Sequence, residues 1–220
     1  MPWIVERGMI EIPRAVSFEE ATFVEPVNTC LKAVEKARVA AGEAVVVIGQ
    51  GPIGLLLMLL ARRTGAHVFT TDPIAERREV SERLGATAAF DPLSCSVAEE
   101  IRKVTEGRGA DAVLVAVPLP SAVPAALSAA RPGGRVLLFA QNDPHMKIEF
   151  PAAEIGVDEK EILGSYSAAL DRQKESANLV FTRELPVSAL ITHRFSLEEF
   201  GAALSLAARP SNSLKILVIP

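Results

Sequence analysis

A chain of 220 residues, 49% hydrophobic and 23% charged, is long enough to bury a sizeable core and too apolar to stay disordered. Its net charge of −4 comes with acidic and basic residues interspersed, and without a run of Lys and Arg it is a poor match for nucleic acid. Two well-separated cysteines, Cys30 and Cys95, exclude a disulfide framework and suit a reducing cytoplasm.

In chain order, residues 1–7 show no basic segment leading into an apolar stretch, so no secretory signal is expected. Ser17 and Glu20 stand at capping-box spacing, and residues 27–38 carry the pattern of a second helix. The apolar stretch 45–61 is interrupted by Gly49, Gln50, Gly51, Pro52 and Gly54, which argues against a membrane span, since one needs about 20 mostly apolar residues. From residue 44 onward, apolar runs of strand length (44–48, 67–71, 88–90, 111–115, 135–139 and 161–165) alternate with helical patterns. Strands this rich in Val, Ile, Leu and Phe are covered on both faces, and crossover-length segments between them imply a parallel sheet. Right-handed crossovers then predict a doubly wound α/β fold; the six parallel strands are expected in the order 3-2-1-4-5-6, the Rossmann arrangement. Two of the intervening helices, 55–63 and 75–84, end at Gly65 and Gly85, where a helix C-terminus favours a left-handed residue. The first of them is apolar on every side, as a helix sandwiched between layers must be. Ser196 and Glu199 repeat the capping-box spacing and predict a helix to about residue 208, followed by a strand over 214–219.

The expected organisation is a linker and remnant of another domain over 1–26, the doubly wound domain over 27–168, and a last helix with a returning C-terminal segment over 169–220.

Gly49-Gln50-Gly51-Pro52-Ile53-Gly54 follows the first strand and opens the apolar helix, the context in which a G-x-G-x-x-G pattern carries weight. Gly49 permits the tight turn, Gly51 lets a diphosphate approach the backbone, and Gly54 lets helix and strand pack closely. Pro52 suits the first helical turn, where an N–H would have no partner. The free amides there, backed by the helix dipole, attract a diphosphate. Asp72 closes the second strand, 23 residues (72 − 49) after Gly49, close to the spacing of about 20 for the acid that holds the adenosine ribose. Taken alone, Asp72 would be a helix cap. In this context its charge accepts a 2′-hydroxyl and repels a 2′-phosphate, so NAD is expected over NADP. Arg77 and Arg78, one turn into the next helix, could soften that preference or stack on adenine.

The chain resembles the zinc-dependent medium-chain alcohol, polyol and threonine dehydrogenases from about Ile12 to Pro220. The residues that carry the resemblance are Ile12-Pro13, Ser17-Phe18-Glu19-Glu20-Ala21, Val24-Glu25-Pro26, the glycine hexad with Asp72, Arg131-Pro132-Gly133-Gly134-Arg135-Val136, Ile162-Leu163-Gly164-Ser165-Tyr166-Ser167 and His193-Arg194-Phe195. The resemblance implies a role for Glu25 at or near a catalytic zinc, and a contact between Thr29 and the nicotinamide region. It also implies that the backbone at Ala116-Val117-Pro118 and at Phe139-Ala140-Gln141 closes the strands facing the nicotinamide. The cofactor-binding residues expected are thus Thr29, Gly49, Gly51, Pro52, Ile53, Gly54, Asp72, Arg77 and Val117. No catalytic or metal-ligating residue is expected in the chain itself, because the family's zinc ligands lie upstream of its first residue. His67, His145 and His193 are isolated from one another and from both cysteines. Lys32, where relatives often carry His, departs from the pattern and weakens assignment to one substrate branch.

The resulting expectation is an NAD(H)-binding domain of an alcohol or polyol dehydrogenase, inactive by itself, that assembles through its sixth strand as a homodimer or tetramer in the cytoplasm. A small alcohol or carbonyl would be the substrate of the intact enzyme, and zinc its metal. The alternatives are a stand-alone NAD-binding module without catalysis, a zinc-free quinone reductase-like oxidoreductase, against which Glu25-Pro26 counts, and a methyltransferase. Pro52 and the sixth parallel strand count against the last of these.

Overall fold

In a computed structural model of the chain, residues 8–209 and 212–220 are described; the leading segment 1–7, where no secretory signal is expected, lies outside them. The described residues divide into two compact units, Cys30–Ser167 on the one hand and those of Met1–Thr29 with Ala168–Pro220 on the other.

The larger unit is built on six strands, β1 (Ala44–Ile48), β2 (His67–Thr71), β3 (Ala88–Phe90), β4 (Ala110–Val115), β5 (Ala130–Leu138) and β6 (Glu161–Gly164). All pairings are parallel, and the order is β3-β2-β1-β4-β5-β6, as expected from the sequence. Aliphatic residues occupy every position of the two central strands except Asp111, and all six positions of β4 are buried, as a sheet covered on both faces requires. The chain enters this unit on helix α2 (Val24–Lys36), which crosses the division after Thr29. The crossover helices are α3 (Pro52–Arg63), α4 (Ala75–Arg83), α5 (Val97–Val104) and α6 (Ala122–Ala129), and a short turn of helix, α7 (Ala153–Gly156), precedes β6.

Helix α3 is buried without interruption from Gly54 to Ala61, in keeping with its apolar circumference. Leu55, Leu56, Leu57 and Met58 are wholly enclosed, and each such side chain contributes about 1.5–3 kcal/mol of burial. A second core of Val46, Val113, Val123, Leu127 and Val136, among others, takes in α6 and the central strands. β5 begins at Ala130, ahead of the Val-Leu run expected to open at Arg135. Ala130 pairs with Ala110, the register shifts, and pairing resumes at Arg135 with Ala112, so Pro132, Gly133 and Gly134 form an irregularity within the strand.

Charged side chains staple the N-terminal ends of these strands. Buried Arg135 donates to the Asp111 and Arg38 carbonyls and pairs with Glu43, while Asp111 accepts from the Ala44 amide and from Arg131. Burial pushes the Asp111 pKa up, but the Arg131 and Ala44 hydrogen bonds outweigh it, so the carboxyl titrates below its usual range.

The smaller unit holds helix α1 (Phe18–Ala21), helix α8 (Gln173–Phe181), helix α9 (Phe200–Ala207) and a two-stranded parallel sheet of β7 (Ile191–Ser196) and β8 (Lys215–Ile219). The capping box at Ser17 is fully formed: its hydroxyl accepts the Glu20 amide at 3.1 Å, and Glu20 accepts the Ser17 amide at 3.0 Å. The similar spacing at Ser196 does not open a helix. Ser196 is the last residue of β7, paired with Ile219, and α9 starts only at Phe200 after a turn in which Glu199 accepts the Ser196 amide. Strand pairing there overrides the local cap signal.

Glu20 also accepts from Arg183 Nε at 2.8 Å. That hydrogen bond first, and those from Ser17 next, bring its pKa down from 4.5 to about 2. A depressed folded-state pKa stabilises the fold above the unfolded-state value and loses that stabilisation as pH falls through the folded one. Glu20→Gln is therefore expected to lower stability near neutrality, and to flatten the acid dependence across the window from 4.5 down to about 2. Urea melts at a series of pH values check this; parallel wild-type and variant curves across that window would count against it.

Candidate functional site

In the order β3-β2-β1-β4-β5-β6 the direction of winding reverses between β1 and β4, and a crevice opens at the C-terminal ends of the strands at such a switch point. Three segments of the larger unit leave the sheet there: the glycine bend after β1, Asp72 after β2, and Ala116-Val117 after β4. Ile48 is in register with both Thr71 and Val115, which makes Gly49 a neighbour of the other two. The Gly49 amide donates to the Thr71 carbonyl at 2.8 Å, and the Ala116 amide donates to the Ile48 carbonyl at 2.9 Å.

Each glycine of the bend meets a different constraint. Gly49 has φ +90°, and a Cβ there would lie 2.3 Å from Val117 Cγ1, so both its backbone conformation and its neighbour exclude a side chain. A Cβ on Gly54 would lie 1.7 Å from the Gly49 carbonyl oxygen, so α3 rests directly on the backbone of the bend. Gly51 differs: beyond its chain neighbours, the nearest atom to a Cβ there is Arg77 Nη1 at 3.9 Å, and its φ of −69° suits any residue. Packing within the chain therefore does not require glycine at 51, which leaves the space in front of it for something else. Gly51 is the N-cap of α3 without a side-chain cap bond, and Pro52 occupies the first turn. The leading amides of a helix lack intrahelical acceptors, so this end can take an anion. Ile53, on the first turn, accepts a long contact from the Cys30 thiol through its carbonyl.

Asp72 is 3% exposed. Its Oδ2 accepts the Gln50 amide at 2.7 Å and its Oδ1 the Ile74 amide at 2.9 Å. The carboxylate thus fixes the bend after β1 to the start of α4. An ionised carboxylate offers about four acceptor directions, and two amides leave capacity for a pair of vicinal hydroxyls. Arg77 Nη1 stands 3.8 Å from Oδ2. Arg78 makes different contacts. It donates to the Asp72 carbonyl at 2.7 Å and lies 3.5 Å from the Asp91 carboxylate, holding β2, β3 and α4 together.

Gln50, which the motif treats as a free position, is wholly buried. Its Nε2 donates to the Val47 and Gly49 carbonyls at 3.0 and 2.9 Å, while Oε1 has no partner. The amide ties the bend to the end of β1. A polar side chain inside an otherwise apolar strand-to-helix junction is the one sequence signal that could have marked it.

Gly49, Gly51, Pro52, Ile53, Gly54, Asp72, Arg77 and Val117 all belong to the larger unit, whereas Thr29 belongs to the other, where its hydroxyl donates to the Pro26 carbonyl at 2.8 Å. Glu25 is exposed near the start of α2, and His193 lies on β7 beside the Thr192 hydroxyl at 2.9 Å. Among the described residues, no group of three or more His, Cys, Asp or Glu side chains comes together as a metal site. These residues do not fit a zinc ion, and no chemical step is assigned to one. Nor is any helix of the described residues long and apolar enough to cross a membrane. A nucleoside diphosphate does fit the bend: the open face of Gly51, the uncapped N-terminus of α3 and the spare acceptor directions of Asp72 match its diphosphate and its sugar diol.

Comparison with known proteins agrees with this geometry. The family model described as zinc-binding dehydrogenase matches residues 52–182. D-xylulose reductase A of Aspergillus oryzae is 31% identical over 194 residues, which cover 86% of this chain and 54% of that protein. Among solved structures, one described as a zinc-binding dehydrogenase from Sinorhizobium meliloti, bound to NADP, superposes with a TM-score of 0.88 at 31% identity, covering 96% of this chain and 62% of that one. Alcohol dehydrogenase TADH from Thermus sp. ATN1 gives a TM-score of 0.89 at 27% identity, with coverage of 96% and 61%. The chain spans about half the length of the curated relatives it matches. With its six-stranded parallel sheet, its glycine bend at the switch point and these matches, the chain belongs to the zinc-binding dehydrogenase family.

Proposed function

We propose that the chain binds NAD(H) at the glycine bend and serves as the cofactor-binding part of an alcohol or polyol dehydrogenase. The observation that carries this reading is Gly51, a glycine whose surroundings leave room for a Cβ, so that the space in front of it is accounted for by an approaching ligand. When bound, the nicotinamide accepts or donates a hydride at a carbon of the substrate. This chain's share of the work is positioning. The amides of the bend hold the diphosphate, Asp72 holds the adenosine ribose, and Val117 bounds the crevice on the β4 side. Thr29, on α2, is assigned the nicotinamide region. Asp72 favours NAD by repelling a 2′-phosphate. NADP is the second reading, favoured by the Sinorhizobium meliloti relative solved with it and by Arg77 near the same carboxylate.

The substrate of the complete enzyme would be a small alcohol or carbonyl compound, a class suggested by relatives named as xylulose reductase and alcohol dehydrogenase. Assembly would run through the unpaired edge of β6, a homodimer or dimer of dimers. A cytoplasmic location fits Cys30 and Cys95, which form no disulfide. Titration calorimetry of the 220-residue chain tests the core of this proposal. A saturable 1:1 isotherm with NADH, tighter than that with NADPH, is expected. Absence of heat with either coenzyme, on material with a cooperative melt, would refute it.

A further inference from the structure

β6 is the last strand of the six-stranded sheet, so one of its edges has no strand beside it. Successive residues of an extended strand point their N–H and C=O groups to opposite sides. The Ser165 amide donates to the Leu138 carbonyl of β5 at 3.1 Å, which turns the backbone groups of Ile162 and Gly164 outward, to the free edge. At both ends of this edge outward groups are already engaged. Lys36, in the last turn of α2, donates through Nζ to the Gly164 carbonyl. Lys32, one turn earlier, donates to the Tyr166 and Ser167 carbonyls at 2.9 and 3.3 Å. At the other end the Lys160 amide donates to the Glu154 carbonyl at 3.1 Å. Lysines laid along a sheet edge are a recurrent block to strand addition, and Lys32, which departs from the family pattern, is one of them.

Between these guards lies Ile162, whose outward N–H and C=O face no strand. Ile155 and Val157, in the segment that leads into β6, are 41% and 77% exposed, apolar surface that a joined chain would cover. A two-fold axis perpendicular to the sheet sets two copies of the edge antiparallel. A register centred on Leu163 or on Gly164 needs the Gly164 carbonyl, in front of which the Lys36 ammonium stands. A register centred on Glu161 needs the Lys160 amide, and sets two Glu161 carboxylates face to face, which is repulsive. A register centred on Ile162 needs neither for its central pair. Each Ile162 exchanges both outward hydrogen bonds with the Ile162 of the second copy, and Glu161 comes to lie opposite Leu163.

We propose that the free edge of β6 takes a second copy of this chain in one register, with Ile162 on the two-fold axis, and that Lys32 and Lys36 exclude the registers displaced toward Gly164. The register rests on the assembly along β6 proposed above and specifies it. The ion pair of Arg38 with Glu161 takes up the charge that this carboxylate brings to the edge beside an apolar neighbour.

Interchain disulfides read the register directly. Residues opposite one another in a non-hydrogen-bonded antiparallel pair have Cα atoms about 4.5 Å apart, within disulfide reach. Two places out of register they are about 8 Å apart, beyond the limit of about 7 Å. The 220-residue chain with Cys95→Ser leaves only buried Cys30 as a native thiol. In that background Glu161→Cys and Leu163→Cys combined are expected to give, on mild oxidation, about ten-fold more covalent dimer than either substitution alone. Adding Lys36→Met to Leu163→Cys is expected to raise its yield by about five-fold or more, because the freed Gly164 carbonyl admits the register in which Leu163 faces its own copy. Methionine keeps the apolar stem of the lysine, and cooperative melts verify that each variant is folded. Efficient crosslinking by either single variant with Lys36 in place would overturn the register, as would a doubly substituted chain that dimerises without crosslinking. A Leu163 variant that stays unlinked after Lys36→Met would overturn the guard. A wild-type chain that sediments as a monomer throughout the micromolar range would instead overturn assembly along β6 itself.

Discussion

Gly51→Ala is expected to leave the thermal transition of the larger unit within about 2 °C of wild type and to weaken nucleotide binding by about 100-fold or more, roughly 2.7 kcal/mol. A methyl group at 51 meets nothing closer than Arg77 Nη1 at 3.9 Å, and φ −69°, ψ −177° is ordinary extended backbone, so the folded chain has no reason to object. The methyl would instead stand where the proposed diphosphate approaches the amides. Gly54→Ala is the counterpart. Its Cβ would be 1.7 Å from the Gly49 oxygen, a backbone atom that cannot rotate away, so α3 and β1 must separate. Overpacking of this severity is expected to cost about 3 kcal/mol or more, a fall of about 6–12 °C in Tm for a chain this size. Differential scanning fluorimetry and NADH calorimetry on the two variants decide the matter. If Gly51→Ala binds NADH as wild type does, the glycine is there for some other reason and the diphosphate site is misplaced.

The contrast between these glycines shows how far a sequence of this kind can be read and where its legibility stops. Period and composition announce backbone elements, because β-branched runs such as Ala44-Val45-Val46-Val47-Ile48 have few alternatives to a doubly covered strand, and right-handed crossovers wind such strands into a doubly covered parallel sheet. The glycine hexad is legible for the same reason, since a positive φ and two close approaches leave few residue types to choose from. The start of β5 is not legible, because the apolar run opens only at Arg135 while the first residue of the strand, Ala130, pairs with Ala110 across a register shift. Ser196-Leu197-Glu198-Glu199 misleads because a cap is a local preference, and the pairing of Ser196 with Ile219 is a long-range one. Side-chain direction is less legible still. No periodicity says that Gln50 turns inward to grip two carbonyls, or that Arg77 rather than Arg78 faces the carboxylate, because both outcomes depend on which neighbours the fold brings within reach.

Asp72→Asn carries the other large effect, and it separates the structural role of the carboxylate from its proposed role in binding. Both its oxygens face N–H donors, Gln50 on one side and Ile74 on the other. An asparagine amide has a single oxygen, so whichever way it turns, its NH2 confronts a backbone N–H in a site that is 3% exposed. Leaving one buried donor unmet costs about 1–3 kcal/mol, which should appear as a lower urea midpoint with unchanged slope. Binding is expected to suffer separately, because the variant lacks the charged acceptor proposed for the sugar diol: NADH affinity should fall by about 30- to 100-fold, on the order of 2–3 kcal/mol. The loss for NADPH should be smaller, since removing the negative charge also removes its repulsion of the 2′-phosphate, so the preference between the coenzymes narrows or inverts. Equilibrium unfolding and paired titrations with the two coenzymes measure the three quantities independently. An asparagine variant with wild-type stability would mean that the two amides are not held by this carboxylate in solution. A variant that loses stability but keeps its full preference for NADH would place coenzyme discrimination elsewhere in the crevice, with Arg77, 3.8 Å from the same carboxylate, as the first candidate.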